Sequence, residues 1–417
     1  MISAAAAREI VMAHVPVLPA SPVPLLDALG LILTEDVVSG LAFPTCDSSA
    51  MDGFAVRVPD VAAATDAAPV SLTIAFTVAA GDTADRILPK GVTCRIMTGA
   101  RIPSGADAVI MLEDVTEASG RITVREAIPA GEFIRPCGED LLAGATILQR
   151  GTRLTPPRLA LLAAIGRTEV MVHRRPQVAI LSTGDEVIEP GQPLQPGQIY
   201  NSNAYAMAAW IQEAGAVPVR MPIVPDSLDA TRRLLRKALT YDAVVTSGGV
   251  SMGEFDFIGK ALASMGTVHF TRVAQQPGKP FTFATVGRKP IFGLPGNPSA
   301  TMVGLELYVR PALRGMMGHP NRYRPMVLAR LDEALTLKSD RMQFLRARVD
   351  HQPGGYTARL TGPQGSGLIT AMAWANALLV IPTGTGRLLA GTGVTAMILE
   401  PELLLEGGLG GDLLTWG

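Results

Sequence analysis

Asp242 to Phe257 reads DAVVTSGGVSMGEFDF: an apolar run closing on a serine and two glycines, with two acids a few residues further on. A short apolar run feeding a glycine turn has the character of a buried strand and its carboxyl-end loop. The same pattern recurs on both sides. Upstream come the strand QVAILS, the helix NAYAMAAWIQEA ended by Gly215, the strand AVPVRMPIV and the helix SLDATRRLLRKAL. Downstream come the helix FIGKALASM, the strands TVHFTRVA, FTFATV and PIFGLP, and a long helix from about Pro298 to Met316. Such alternation predicts right-handed crossovers and a doubly wound, largely parallel sheet covered on both faces. Ligands of such sheets bind beyond the carboxyl ends of the strands.

The flanking texture differs. Residues 1 to 40 read as a helix opened by Ser3, a proline-broken connection and a short second helix ending near Gly30. Residues 41 to 140 carry short strand-like runs such as SLTIAFTVAAGD and RITVREAI between turn residues. Residues 141 to 175 resemble the first 40, with Thr155 and Pro156 starting a helix and Gly166 ending it, so the β-rich stretch reads as an insertion into a discontinuous first domain. After GHPNRYRP, the run QFLRARVD places Leu345, Ala347 and Val349 on one face and Arg346, Arg348 and Asp350 on the other, which predicts a small all-β barrel or sandwich.

With 417 residues and 48% apolar content, the chain has material for two to four domains. Its 36 basic and 37 acidic residues nearly cancel, so no global field recruits nucleic acid or an anionic membrane. The opening MISAAAAREIVMAHV lacks a basic region before its apolar part, and no apolar run reaches 18 residues; neither a signal peptide nor a membrane span is expected. Cys46, Cys94 and Cys137 form no C-x-x-C pair, which suits the reducing cytoplasm, and the five histidines have no zinc-site spacing. Any metal would take oxygen ligands, which favours a hard ion such as Mg²⁺.

The strand-end loops hold the chemistry. STGDEV (Ser182–Val187), Asp226, SGGVSMGEFD and LPGNPSA follow the first, second, third and last strands and bring Asp185, Glu186, Asp226, Glu254 and Asp256 to one edge. Glycines at 184, 248, 249 and 296 let backbone N–H groups approach an anion, as does the start of the helix after Asn297 and Pro298. Acids repel an anion, and a divalent cation bridging carboxylate and phosphate oxygens removes the conflict. Lys279 in QQPGKP adds a positive point charge. Each feature has a plainer reading: a Gly-Gly turn, Asp226 as a helix cap, Asp185 and Glu186 as a solvated face. Their convergence at one sheet edge favours a phosphate and metal site. The chain has neither a P-loop nor a G-x-G-x-x-G dinucleotide motif. In the β-rich unit, MDG around Asp52 reads alone as an Asp-Gly turn.

In order along the chain, DSSAMDGFAV, RIMTGARIP, GED, STGDE, GQIYNSN, SGGVSMGEFD, PGKP, GLPGNP and GSGLITAMAWANALLVIP resemble the MoeA-type molybdopterin molybdenumtransferases. The resemblance implies four domains: an elongated, discontinuous α+β domain that dimerises (1–40 and 141–175), a β-rich inserted domain (41–140), a doubly wound α/β molybdopterin-binding domain (176–321) and a C-terminal β-barrel (322–417). It implies a cytoplasmic homodimer that inserts molybdate into adenylylated molybdopterin, with Mg²⁺-dependent cleavage of the phosphoanhydride to molybdenum cofactor and AMP. By matching positions, Glu186, Asp256, Asp52, Thr98, Asp140 and Asp226 are its catalytic candidates, with Glu186 and Asp256 on the metal. Ser247, Gly248, Gly249, Ser251, Lys279, Pro295, Pro298 and Ser366 are the substrate- and phosphate-binding candidates. Transient partners would be a molybdopterin adenylyltransferase and molybdoenzymes, with no nucleic acid and no membrane. Two positions depart from the pattern: Gln276 replaces a second lysine, making the anion site less positive, and Asn201 replaces an aspartate. The rival readings are a molybdopterin adenylyltransferase and a non-enzymatic scaffold on the same fold.

Overall fold

The computed structural model describes residues 1–249, 257–337, 340–400 and 402. The chain is a multidomain α/β protein, and its contacts divide it into two compact units: Met1–Thr34, Arg153–Thr155 and Glu169–Gly417 in one, Glu35–Thr152 and Pro156–Thr168 in the other.

The smaller unit is built on a six-stranded sheet in the spatial order Ala108–Met111, Gly53–Val56, Val92–Ile96, Val70–Val78, Arg121–Val124 and Val115–Ala118. Its pairings are antiparallel except that Val70–Val78 runs parallel to Val92–Ile96. Gly53 is required by the tightness of this sheet: a Cβ there would lie 2.0 Å from the Ile110 carbonyl oxygen. Two short ladders tie the ends of the β-rich stretch together, Val37–Val38 with Thr146–Leu148 and Ser48–Ser49 with Ile134–Arg135. The helix Pro156–Ala164 begins with proline, whose missing N–H is harmless there, and Gly166 follows it at φ 78°.

In the larger unit, the Ser3 hydroxyl caps the helix Ala4–His14 by accepting from the Ala6 N–H at 3.1 Å. The segment expected as a proline-broken connection contains instead a strand, Ala20–Pro24, paired antiparallel with Glu169–His173. The α/β sheet follows in the order Val217–Arg220, Gln177–Ser182, Ala243–Ser247, Lys289–Leu294, Pro280–Val286, Thr267–Arg272. The first four strands are parallel and the last two add antiparallel pairings. Alternation along the buried strands sends Val178, Ile180 and Val245 to the face covered by the helix Ser202–Glu213, and Ala179, Leu181 and Val244 to the face covered by Leu228–Ala238 and Phe257–Met265.

Two elements depart from expectation for reasons of proline chemistry. AVPVRMPIV forms an edge strand only over Val217–Arg220; its regular pairing stops before Pro222, and a single bridge from Val224 to Thr183 follows. The helix from Pro298 to Met316 contains a π segment, Leu305–Val309, ahead of Pro311, whose missing N–H disrupts the ordinary bonding pattern. Glu306 on that segment is buried. It accepts hydrogen bonds from Trp210 Nε1 at 2.5 Å and from Arg324 at 2.7 and 3.0 Å, while Arg324 also reaches Glu213 at 2.6 Å.

The C-terminal strands Met326–Leu331, Met342–Gln352, Gly355–Leu360, Ala377–Ile381 and Gly393–Ile398 form a closed five-stranded barrel, sealed by pairing of Met342–Gln352 with Ala377–Ile381. Leu345, Ala347 and Val349 enter its core as the alternation predicted. Arg346, expected on the solvent face, is 1% exposed. Its guanidinium donates to the carbonyls of Phe344 and Gly365, and burial pulls its pKa down to about 10.

Candidate active site

The carboxyl ends of the parallel strands open into a cleft of about 640 Å³. Its walls include Glu186, Asn203, Asp226, Ser247, Gly249 and Pro298. The backbone is shaped by glycines at φ 128° (Gly184), 88° (Gly248) and 64° (Gly249). A Cβ on Gly248 would lie 2.7 Å from Thr183 Oγ1, and one on Gly184 would lie 2.5 Å from the Glu186 carboxylate. Only glycine lets the loop after Ser247 approach the loop after Ser182 this closely, and the Glu186 carboxylate lies folded over Gly184.

The acids converge. Asp226 N–H donates to Asp185 Oδ1 at 3.1 Å, and burial together with the charges of Asp185 and Glu186 raises the Asp226 pKa above its ordinary value. The helix cap that Asp226 could have supplied comes from Ser227, whose hydroxyl accepts from Ala230 N–H at 3.5 Å. Asp226 is left facing the cleft, where no lysine, arginine or histidine stands among the described residues of the wall. Among the described residues, no group of three His, Cys, Asp or Glu side chains is set to hold a metal. Ser251, Glu254 and Asp256 lie outside the described residues.

The glycine loop is anchored from beneath. Asn203 Nδ2 donates to Ser247 Oγ and to the Gly296 carbonyl, both at 2.7 Å, so one amide ties two strand-end loops together. The expectation that the backbone of Ser247, Gly248 and Gly249 all faces an anion is narrowed by one bond: Gly248 N–H donates to the Leu294 carbonyl at 3.0 Å. Asn201 starts the helix Ser202–Glu213, accepts from Ser182 Oγ at 2.8 Å and donates to Glu189 at 3.0 Å, the work of a neutral cap. Burial opposes ionisation of Glu189, yet Arg220, Asn201 and Tyr205 hold its pKa below the ordinary value.

A second pocket, of about 240 Å³, shares Asn297 with the cleft and is lined by Lys279, Arg341, Gln276, Pro295 and Ser366 among others. Asn297 Nδ2 donates to Ser366 Oγ at 3.0 Å across the shared wall. Arg341, which also pairs with Asp340, is the binding candidate that sequence reasoning missed. A lone arginine in a turn carries no signal until the fold sets it opposite Lys279. Gly365, beside Ser366, is held through its carbonyl by the buried Arg346 at 3.1 Å.

In the smaller unit, Asp52 accepts from the Thr98 N–H at 2.6 Å and the Thr98 hydroxyl at 2.7 Å, and these bonds lower its pKa, the backbone bond foremost. Asp140 lies on the segment joined to Phe43, its N–H donating to the Phe43 carbonyl at 3.1 Å.

Three regions match known families: residues 2–166 the MoeA N-terminal region (domains I and II), 179–315 the probable molybdopterin-binding domain, and 328–399 the MoeA C-terminal region (domain IV). The chain is 42% identical over 378 residues to molybdopterin molybdenumtransferase 2 of Mycobacterium tuberculosis, covering 89% of this chain and 93% of that protein. It is 37% identical over 386 residues to molybdopterin molybdenumtransferase of Bacillus subtilis, covering 91% and 90%. The crystal structure of a molybdopterin biosynthesis MoeA protein from Pyrococcus horikoshii superposes with a TM-score of 0.80 at 33% identity, covering 96% of this chain and 99% of that one.

Proposed function

The chain belongs to the MoeA family of molybdopterin molybdenumtransferases, and on that footing we propose how it inserts molybdenum into molybdopterin. It is a transferase of molybdenum cofactor biosynthesis. The observation carrying the mechanism is the pair of adjoining pockets with opposite character. One is walled by carboxylates and the other by Lys279 and Arg341, and Asn297 stands between them.

In this reading the cleft takes adenylylated molybdopterin and the smaller pocket takes molybdate. Gly249 supplies a backbone donor to the nucleotide phosphates, while Asn203 holds its loop against Gly296, and Ser251 stays a phosphate-binding candidate from the sequence alone. Lys279, Arg341 and Ser366 hold the molybdate oxyanion, with Gln276 contributing an uncharged amide where a cation would bind more tightly. Pro295 and Pro298 fix the loop between the pockets. Glu186 and Asp226 give the cleft wall two carboxylates, and the raised Asp226 pKa marks a place where a hard divalent cation would relieve their repulsion. Glu186 and Asp226 would hold Mg²⁺ together with Asp256. Bound there, Mg²⁺ supplies the positive charge that offsets these carboxylates against the phosphoanhydride oxygens. Glu186 orients the water that cleaves the anhydride and accepts its proton, and AMP leaves. Asp52, fixed by Thr98, and Asp140 remain the catalytic candidates of the smaller unit.

We place this activity in a cytoplasmic homodimer of four domains (1–40 with 141–175, 41–140, 176–321, 322–417) that meets a molybdopterin adenylyltransferase and molybdoenzymes transiently. No helix among the described residues is long and apolar enough to cross a membrane. The test supplies the purified protein with adenylylated molybdopterin, molybdate and Mg²⁺ and follows AMP. Release of AMP is expected. Formation of the adenylate from ATP and free molybdopterin would favour the adenylyltransferase reading, and no turnover in either assay the scaffold.

A further inference from the structure

Cys46 and Cys137 are 91 positions apart in the chain, yet the fold of the smaller unit puts them on adjoining segments. Ser48 pairs with Arg135 and Ser49 with Ile134 in an antiparallel ladder, and carrying that register two residues further along both segments puts Cys46 across from Cys137. The ladder does not continue regularly to that point, because Pro136 has no N–H to give. Other bonds keep the segments together. Cys137 N–H donates to Asp47 Oδ1 at 2.7 Å, and beyond the cysteines Gly138 N–H donates to the Pro44 carbonyl at 2.9 Å. The two cysteines are thus bracketed by cross-segment bonds on both sides. A disulfide spans Cα separations of about 4.4–6.8 Å, a range that includes the roughly 4.5–5.5 Å of regular paired strands, so segments held this close by flanking bonds need little adjustment to be bridged. Both thiols are free; Cys137 is exposed and Cys46 half-buried. The third cysteine contrasts: Cys94 is buried in the sheet, and burial pushes its pKa up to about 12.

We propose that Cys46 and Cys137 form a reversible dithiol–disulfide pair, a modification site that ties the segment leading to Asp52 to the segment leading to Asp140. The oxidant is a low-molecular-weight disulfide. The exposed Cys137 thiolate attacks one of its sulfurs and expels a thiolate, leaving a mixed disulfide. The Cys46 thiolate then attacks the Cys137 sulfur and expels the second thiolate. One small disulfide is reduced to two thiols, the two protein thiols are oxidised to one disulfide, and their two protons go to the departing thiolates.

The connection has a mechanical result. Asp140 follows Cys137 by three residues and is joined through its N–H to Phe43, three residues before Cys46. A covalent bond between the cysteines closes this small circuit and restricts both acid-bearing segments. It also closes a long chain loop, which stabilises the folded state against unfolding.

The experiment treats the reduced full-length protein with glutathione disulfide, blocks remaining thiols with N-ethylmaleimide, and measures intact mass and a non-reduced tryptic map. The expected result is the loss of two hydrogens and a peptide linking Cys46 to Cys137, with Cys94 unmodified until the protein is denatured. Cys46→Ser should stop at a stable glutathione adduct on Cys137. Oxidation should raise the thermal midpoint by on the order of 5 °C in the wild type and not in Cys46→Ser. Glutathione adducts on both cysteines without the linked peptide, a disulfide between two chains, or thiols that remain fully alkylatable would each overturn the proposal.

Discussion

Asp226 stands one residue before the hydroxyl that caps the helix Leu228–Ala238, and that single step decides its role. From sequence, either residue can cap. The structure assigns the cap to Ser227 and leaves the Asp226 carboxyl among two others. Its pKa is raised, first by burial and then by Asp185 and Glu186. A carboxyl with a raised folded-state value favours folding while protonated. Its contribution is therefore complete below the unfolded value near 3.8 and is lost as pH rises through the raised one. Without added divalent ion, Asp226→Asn should raise the thermal midpoint at pH 7 by roughly 1–3 °C, with the gain shrinking toward pH 4. A melting series across pH checks the sign. Glu186→Ala should slow AMP release by on the order of 10²-fold or more while leaving the melting curve of the smaller unit unchanged. Arg346 and Arg341 were not legible in the sequence. Strand alternation assigns Arg346 to solvent, and only the loop that crosses over it reveals that it anchors Gly365. Replacing Arg346 by leucine should therefore raise the KM for molybdate more than it lowers kcat, which steady-state kinetics separates.

Among the elements, those with periodic apolar patterns were legible and those defined by a distant partner were not. The strands around Val178 and Val244 announce themselves because both faces are buried. Ala20–Pro24 carries two prolines and reads as a break. It becomes a strand only through Glu169–His173, which no local pattern can indicate. Gly53 shows a limit of another kind. Asp-Gly suggests a turn, but the glycine begins a strand and is fixed there by the neighbouring carbonyl of Ile110. Gly53→Ala should destabilise the smaller unit by about 2–4 kcal/mol, measurable by denaturant unfolding, because backbone and not a flexible side chain must move. The π segment has a comparable energetic signature. Glu306 sits there buried against Arg324, and Arg324→Met would strand that carboxylate at a loss of about 3–5 kcal/mol.

At the scale of the whole molecule, the order of domain-like textures along the sequence anticipates the β-rich sheet, the α/β sheet and the barrel, because each has its own hydrophobic period. The homodimer proposed here has a direct check: sedimentation velocity should give a species of twice the 43.8 kDa chain mass. One pairing also sets a timetable for synthesis. The strand Ala20–Pro24 leaves the ribosome early but meets Glu169–His173 only after every residue of the smaller unit, 35–152 and 156–168, has emerged. That unit can complete its sheet during translation, whereas the amino-terminal strand must wait. A stalled nascent chain ending before residue 169 would thus hold a protease-resistant β-rich core and a protease-sensitive leading segment, and the two would become equally resistant once translation passes the barrel.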